Sequence, residues 1–289
     1  MYGETTNSVA NVVQRAPYQG IGPGSLTCKT AYSSDYNSLQ ASVTKRLSHG
    51  LQFLGSYTWS KNLDETSGSS GNQVFELWLL TNDQRNSRQA YGLTDFDRAH
   101  RAVFSFNYDL PNARSMGSMV RHIVSGWQTS GILVVQSGTP LTLIDESAGA
   151  VYGNFPFENR AQLSGARLTT SGSLYSRVIN GYLNPAGITS APEAPNGTSS
   201  FDTDFGNSGV GIVRGPGQFN LDMAAEKTIP VSESQSFHLR AEFFNLTNRP
   251  NFANPGNGAI LGSTSPPFGL ITGKSNNPRI VQVALKYQF

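Results

Sequence analysis

Several groups of residues have types and spacings that chemistry could use. Ser42-Val43-Thr44-Lys45 spells S-x-x-K, the pattern of serine acylases. That chemistry needs the serine and the lysine on one helical face; on a strand, positions i and i+3 point to opposite sides. Asp202-Thr203-Asp204-Phe205-Gly206 opens like a calcium loop, but Val213 stands where the glutamate of such a loop belongs. The histidines at 49, 100, 122 and 238 lack metal-ligand spacing. Asp95, Asp97, Arg98 and Arg101 crowd the run TDFDRAHR and suit a rim ion-pair cluster or contact with a separate plug. Asn196-Gly197-Thr198 and Asn245-Leu246-Thr247 match the glycosylation pattern. There is no phosphate-binding glycine loop, no H-E-x-x-H and no G-x-S-x-G. The expectation is a chain with no catalytic residue, no metal site and no cofactor.

Composition narrows the class further. The 289 residues carry a formal charge of +2, and only 14% are charged, against ~25% in ordinary soluble domains. Such a balance gives no footprint for nucleic acid. One cysteine, Cys28, excludes an intrachain disulfide framework. No apolar run approaches the ~20 residues of a transmembrane helix. Residues 1–20 have neither the basic nor the apolar region of a secretory signal, so an exported protein with this sequence is expected to be a piece of a longer one.

What must position any site is a set of strands. Period-2 alternation runs through 38–47, 51–60, 101–110, 126–136, 219–228, 236–244 and 280–289. Segment 18–34 holds a poorer eighth candidate. The first two runs read as a hairpin with a three-residue connection, Ser48-His49-Gly50, that sets Leu39 on the same side as Trp59 and Val43 near Gly55. The links run short (48–50), long (61–100), medium (111–125), very long (137–218), short (229–235) and long (245–279), so shorter and longer links alternate. Strands near ten residues, with short turns on one side and long loops on the other, describe an outer-membrane β-barrel. A soluble β-sandwich also alternates, but its strands average ~5–6 residues.

On that reading each face has a task. Tyr57, Trp59, Tyr108 and Trp127 sit near strand ends on the apolar face, as an aromatic girdle does; Lys45 would snorkel to the headgroups. Asp222, Glu226, His238, Arg240 and Glu242 share a polar, lumen-facing side, with Glu226 near His238 or Arg240. Val281, Val283, Leu285, Tyr287 and the terminal Phe289 have the form of the assembly signal read by the outer-membrane assembly machinery.

Ordered segments then carry a family resemblance: YNSLQASVTKRLSHGLQFLGSYTWSKNLDE (36–65), GLTDFDRAHRAVFSFNYDLP (92–111), SGWQTSGILVVQSGTPLTL (125–143), FGNSGVGIVRGPGQFNLDMAAEKTI (205–229), LRAEFFNLTNRPNFANP (239–255) and FGLITGKSNNPRIVQVALKYQF (268–289). Together they resemble the C-terminal β-barrel of Oar-like TonB-dependent transporters. The resemblance implies an all-β, antiparallel transmembrane barrel segment of seven or eight long strands, part of a barrel of ~22. It implies a leading loop with a partial strand over 1–35 and the barrel segment over 36–289. It places the chain in the outer membrane of a Gram-negative bacterium, in contact with lipid, a plug domain and the TonB energy-coupling system, and importing an unknown substrate. A small eight-stranded barrel for adhesion and a soluble glycan-binding domain stay open as alternatives.

Overall fold

A computed structural model describes residues 6–15, 20, 32–65, 82–83, 86–112, 123–153, 159–256, 260–264 and 267–289. Seven long strands dominate it: β1 (Ser34–Ser48), β2 (Leu51–Asp64), β3 (His100–Asp109), β4 (Trp127–Gln136), β5 (Gln218–Pro230), β6 (Ser236–Phe244) and β7 (Ile280–Gln288). Each pairs antiparallel with the next in sequence, so the sheet is one meander from β1 to β7. Gly92–Leu93 adds a two-residue strand beside the end of β2. Among the described residues β1 pairs only with β2 and β7 only with β6, which leaves the sheet open. The strand expected within 18–34 lies almost wholly outside the described residues; Ser34 already belongs to β1.

The registers follow the alternation. Leu39 faces Trp59 and Val43 faces Gly55 across β1 and β2. The connection itself is shorter than expected. It is a two-residue turn, His49-Gly50, with both residues at positive φ (52° and 76°), the signature of a type I′ hairpin whose twist matches its strands. The register shifts between Lys45 and Ser48, a bulge that absorbs the extra residue. β1, β2 and β5 also run to 15, 14 and 13 residues, beyond the ten expected. Gly131 shows how one sheet face packs: it opposes Phe106, whose ring carbon Cε1 would lie 2.7 Å from any added Cβ.

Following the registers around the sheet separates two faces. One carries Leu39, Val43, Phe53, Tyr57, Trp59, Phe104, Phe106, Leu133, Phe219, Leu221, Phe237, Leu239, Val283 and Leu285. Much of it is exposed: Val43 is 64% exposed, and Val283 and Leu285 are each 67% exposed. The other face lines a groove of about 640 Å³ that reaches from Thr44 of β1 across to Arg240 of β6. A single groove touching that many strands means the sheet curls with the polar side inward. That side is not wholly polar, since Leu54 and Ile132 also line the groove.

The buried core lies elsewhere. Leu143, Ala161, Tyr182, Leu183, Ile188, Val213 and Ile271 form it, all from the loops 137–217 and 245–279. A short helix, Leu174–Asn180, is capped by Ser173, whose hydroxyl accepts from the Ser176 amide at 3.2 Å. Leu174 and Val178 pack inward, whereas Tyr175 and Ile179 face out. The long loops are thus a folded cap with its own interior, seated at one end of the sheet.

Candidate functional site

The polar wall is built by strand parity. Glu226 of β5 stands opposite Arg240 of β6, and Thr228 opposite His238. The Glu226 carboxylate takes Arg240 at 3.1 Å and His238 Nδ1 at 3.2 Å. Arg240 Nε donates to Glu242 at 2.9 Å. His238 also touches the hydroxyls of Thr228 (3.3 Å) and Ser236 (3.1 Å). Four of the five expected polar residues therefore form one connected network. Asp222 stands apart, accepting from the Asn245 amide at 2.7 Å and so anchoring the β6–β7 loop. Asp222, Arg240 and Glu242 line the groove.

The apolar face carries two aromatic tiers. Trp59, opposite His100, and Tyr57 lie toward the cap; the Tyr57 hydroxyl meets His100 Nδ1 at 2.8 Å. Tyr108 and Trp127 lie toward the short turns. Trp59 and Leu51, the partner of Tyr108, stand eight positions apart on β2, roughly 27 Å along the strand. The lower tier has members that the alternation does not mark as such. Phe237 and Tyr287 are neighbours at 4.9 Å between ring centroids, and Tyr287 and Phe289 at 5.8 Å. Lys227 also sits on this face, with its ammonium 5.7 Å from the Trp127 ring and bonded to the Ser125 carbonyl. Val281, Val283, Leu285 and Tyr287 pair with Phe243, Ala241, Leu239 and Phe237, so the whole set shares the apolar side. Lys45 pairs with Phe53 on that side while Ser42 pairs with Ser56 on the other, which separates the two residues of S-x-x-K.

At the rim, Asp97 and Arg98 of TDFDRAHR reach partners outside the run. Asp97 is buried, forms an ion pair with Arg214 from the end of the long β4–β5 loop, and accepts from the Asn62 amide at 2.7 Å. Arg98 instead donates to the Ser137 carbonyl at 2.6 Å; burial, with Arg101 nearby, lowers its pKa. Sequence spacing cannot reveal Asp97–Arg214, because the partners are 117 residues apart. Asp95 is pushed up to about 7, chiefly by burial and then by the charge of Asp64.

Polar residues also tie the cap together. The Asp202 carboxylate accepts from the amides of Val9 and Thr198, each at 2.8 Å, and these bonds hold its pKa at about 2. That is a loop anchor joining residues 6–15 to the cap. Asparagines 245, 248, 251 and 254 recur every third residue, a spacing that period-2 alternation does not pick out. Asn245 binds the amide and carbonyl of Arg249 (3.1 Å each). Asn248 accepts from the Arg279 amide (3.0 Å). Asn251 binds both backbone groups of Phe219 (2.9 Å each). Asn254 donates to Thr139 (2.8 Å). Two of them, Asn245 and Asn248, adopt positive φ, which asparagine tolerates. Together they clasp the β6–β7 loop to the sheet, and Asn245 of the glycosylation pattern is buried in doing so. Among the described residues no group of three or more His, Cys, Asp or Glu could hold a metal ion.

Residues 2–282 match the family model described as outer membrane beta barrel domain. This chain belongs to that family. Neither a curated protein nor a solved structure matches it. The family implies a barrel protein of the outer membrane, which agrees with an all-β meander whose apolar side faces outward. No helix among the described residues is long and apolar enough to cross a membrane.

Proposed function

We propose that this barrel segment forms wall and outer loops of an Oar-like, TonB-dependent importer. The observation that carries the reading is the inverted sheet: an apolar convex side, and a polar groove lined by Asp222 and by Arg240 and Glu242 of the Glu226–His238–Arg240–Glu242 network, with a folded cap at one end of the sheet. The convex side meets lipid, with the two aromatic tiers at the headgroup levels. The concave side faces the lumen, where a plug domain would sit. The set ending in Phe289 serves the assembly machinery. The chain makes and breaks no bonds; it supplies walls, lumen charge and loops.

The test is uptake in cells that carry the gene in their own chromosome. Labelled iron chelates and oligosaccharides are offered to wild-type and deletion strains, with and without a protonophore. Loss of one probe class on deletion, matched by loss under protonophore, supports energy-coupled import. Unchanged uptake of every probe, with reduced attachment to surfaces, supports an adhesion barrel instead. That second reading has one observation behind it: Phe201 and Tyr175, 80% and 64% exposed on the cap, are apolar groups presented to whatever approaches.

A further inference from the structure

Where β2 meets the short strand Gly92–Leu93, side-chain oxygens gather on the groove side of the sheet. Leu63 pairs with Leu93 and Asp64 with Gly92. The Thr94 amide extends that ladder by donating to the Asn62 carbonyl at 3.1 Å. Opposed residues share a side, and so do positions two apart on a strand. Asn62, Asp64 and Thr94 therefore lie on the same side, with Asp95 next in the chain. The cap closes that side: a Cβ on Gly92 would lie 2.6 Å from the Val210 side chain. Thr94 is fully buried and Asp64 is buried too. Two of the oxygens, Asn62 Oδ1 and Thr94 Oγ1, are buried without a hydrogen-bond partner. Buried polar atoms of folded proteins are nearly always satisfied. Beside them stand the carboxylates of Asp64 and Asp95, close enough for the charge of the first to act on the second.

We propose that Asn62, Asp64, Thr94 and Asp95 bind one calcium ion. An amide oxygen, a hydroxyl and two carboxylates are the all-oxygen donor set of a hard cation, and calcium accepts such mixed donors in irregular geometry more readily than magnesium does. Only two of the four ligands are acidic, so the site is not a cluster of three or more His, Cys, Asp or Glu. The ion ties the end of β2 to segment 92–97. Asp97, whose carboxylate holds the Asn62 amide and pairs with Arg214, passes that restraint on to the long β4–β5 loop. Calcium thus stiffens the seam between sheet and cap. The raised pKa of Asp95 belongs to the protein without the ion; calcium takes the place of that proton. An importer and an adhesion barrel would carry the site equally.

Terbium, a luminescent stand-in for calcium, tests this on the protein extracted in detergent from cells that carry its gene and stripped with EDTA. Calcium is expected to displace terbium at ~10⁻⁴–10⁻³ M, the range of extracellular calcium modules, and magnesium to do so less well. Asp95→Asn, and Thr94→Val, which removes only the hydroxyl, should each weaken binding by ~10–100-fold, at least the loss seen when a metal site is stripped of one supporting partner. Asn62→Asp adds a charge and should tighten it. Glu242→Gln, in the groove network, should leave it unchanged. As a second measurement, calcium should slow proteolysis within residues 86–97 of the wild type but not of Thr94→Val. Heat-modifiable gel mobility shows which samples are folded; if Asp95→Asn is not, Thr94→Val and Asn62→Asp decide. Folded wild type that binds neither terbium nor calcium overturns the proposal. So does equal binding by the wild type, Thr94→Val and Asn62→Asp, which would mark the ion as adventitious.

Discussion

The sheet and the cap solve opposite problems with the same residue types. In the sheet, Val283 and Leu285 are each 67% exposed; in the cap, Leu143 and Leu183 are 1% exposed. In the cap the aliphatics find one another, and two loops distant in sequence share one core, as apolar groups in water must. On the proposed reading the sheet's outer side has lipid as solvent, so its aliphatics need no protein partner, and backbone pairing must hold it together. What differs is which side of each element the apolar residues occupy.

Four changes would break or sharpen this contrast. The largest effect is expected from Leu183→Ala. It should cost the cap ~2–5 kcal/mol by leaving a cavity in its core, seen as faster proteolysis of the cap in intact cells with membrane insertion unchanged. Loss of insertion would show that the two regions fold as one unit.

Val283→Arg should do the reverse. A cation on the outer side of a membrane strand costs ~2–4 kcal/mol near the midplane, so the heat-modifiable species should fall while cap variants of the same protein keep it. Normal insertion would mean that β7 does not face lipid.

The seam between the regions should respond to pH. Asp95 has a folded pKa raised to about 7 from 3.8, so the folded rim holds its proton where the unfolded chain has lost it. Stability from this group is full below pH ~4 and lost as pH rises through about 7, a few kcal/mol at most. Proteolysis of the rim should be faster at pH 8 than at pH 5, and Asp95→Asn should flatten the difference. An equal slope in that variant would rule Asp95 out as its source.

The smallest effect is expected from Glu226→Gln. Cross-strand charge pairs contribute ~0.2–1 kcal/mol, so the variant should insert normally. If importer function depends on the network, uptake should change more than stability; a large loss of insertion would make the network a folding element.

Much of the sheet is legible in the sequence. Side-chain period is two on a strand, so alternation alone sets Leu39 on the same side as Trp59 and Glu226 near His238 or Arg240; the registers then make Trp59 and Arg240 the partners. The hairpin turn is one residue shorter than alternation predicts, because a bulge leaves no mark in that pattern. Lys227 escapes such a reading because a lone cation among apolar neighbours finds its partners, Ser125 and Trp127, only through the β4–β5 pairing.

The cap is not legible in the same way. Its stretches have no strand alternation to read, and its contacts join residues far apart in the chain: Asp97 with Arg214, Asp202 with Val9, Asn251 with Phe219. By itself, the sequence determined which side of each strand is apolar, because that depends only on neighbours two residues away. Tertiary structure alone decided the curl of the sheet and the core of the cap. Each of these depends on which distant segments meet, and local pattern carries no record of that.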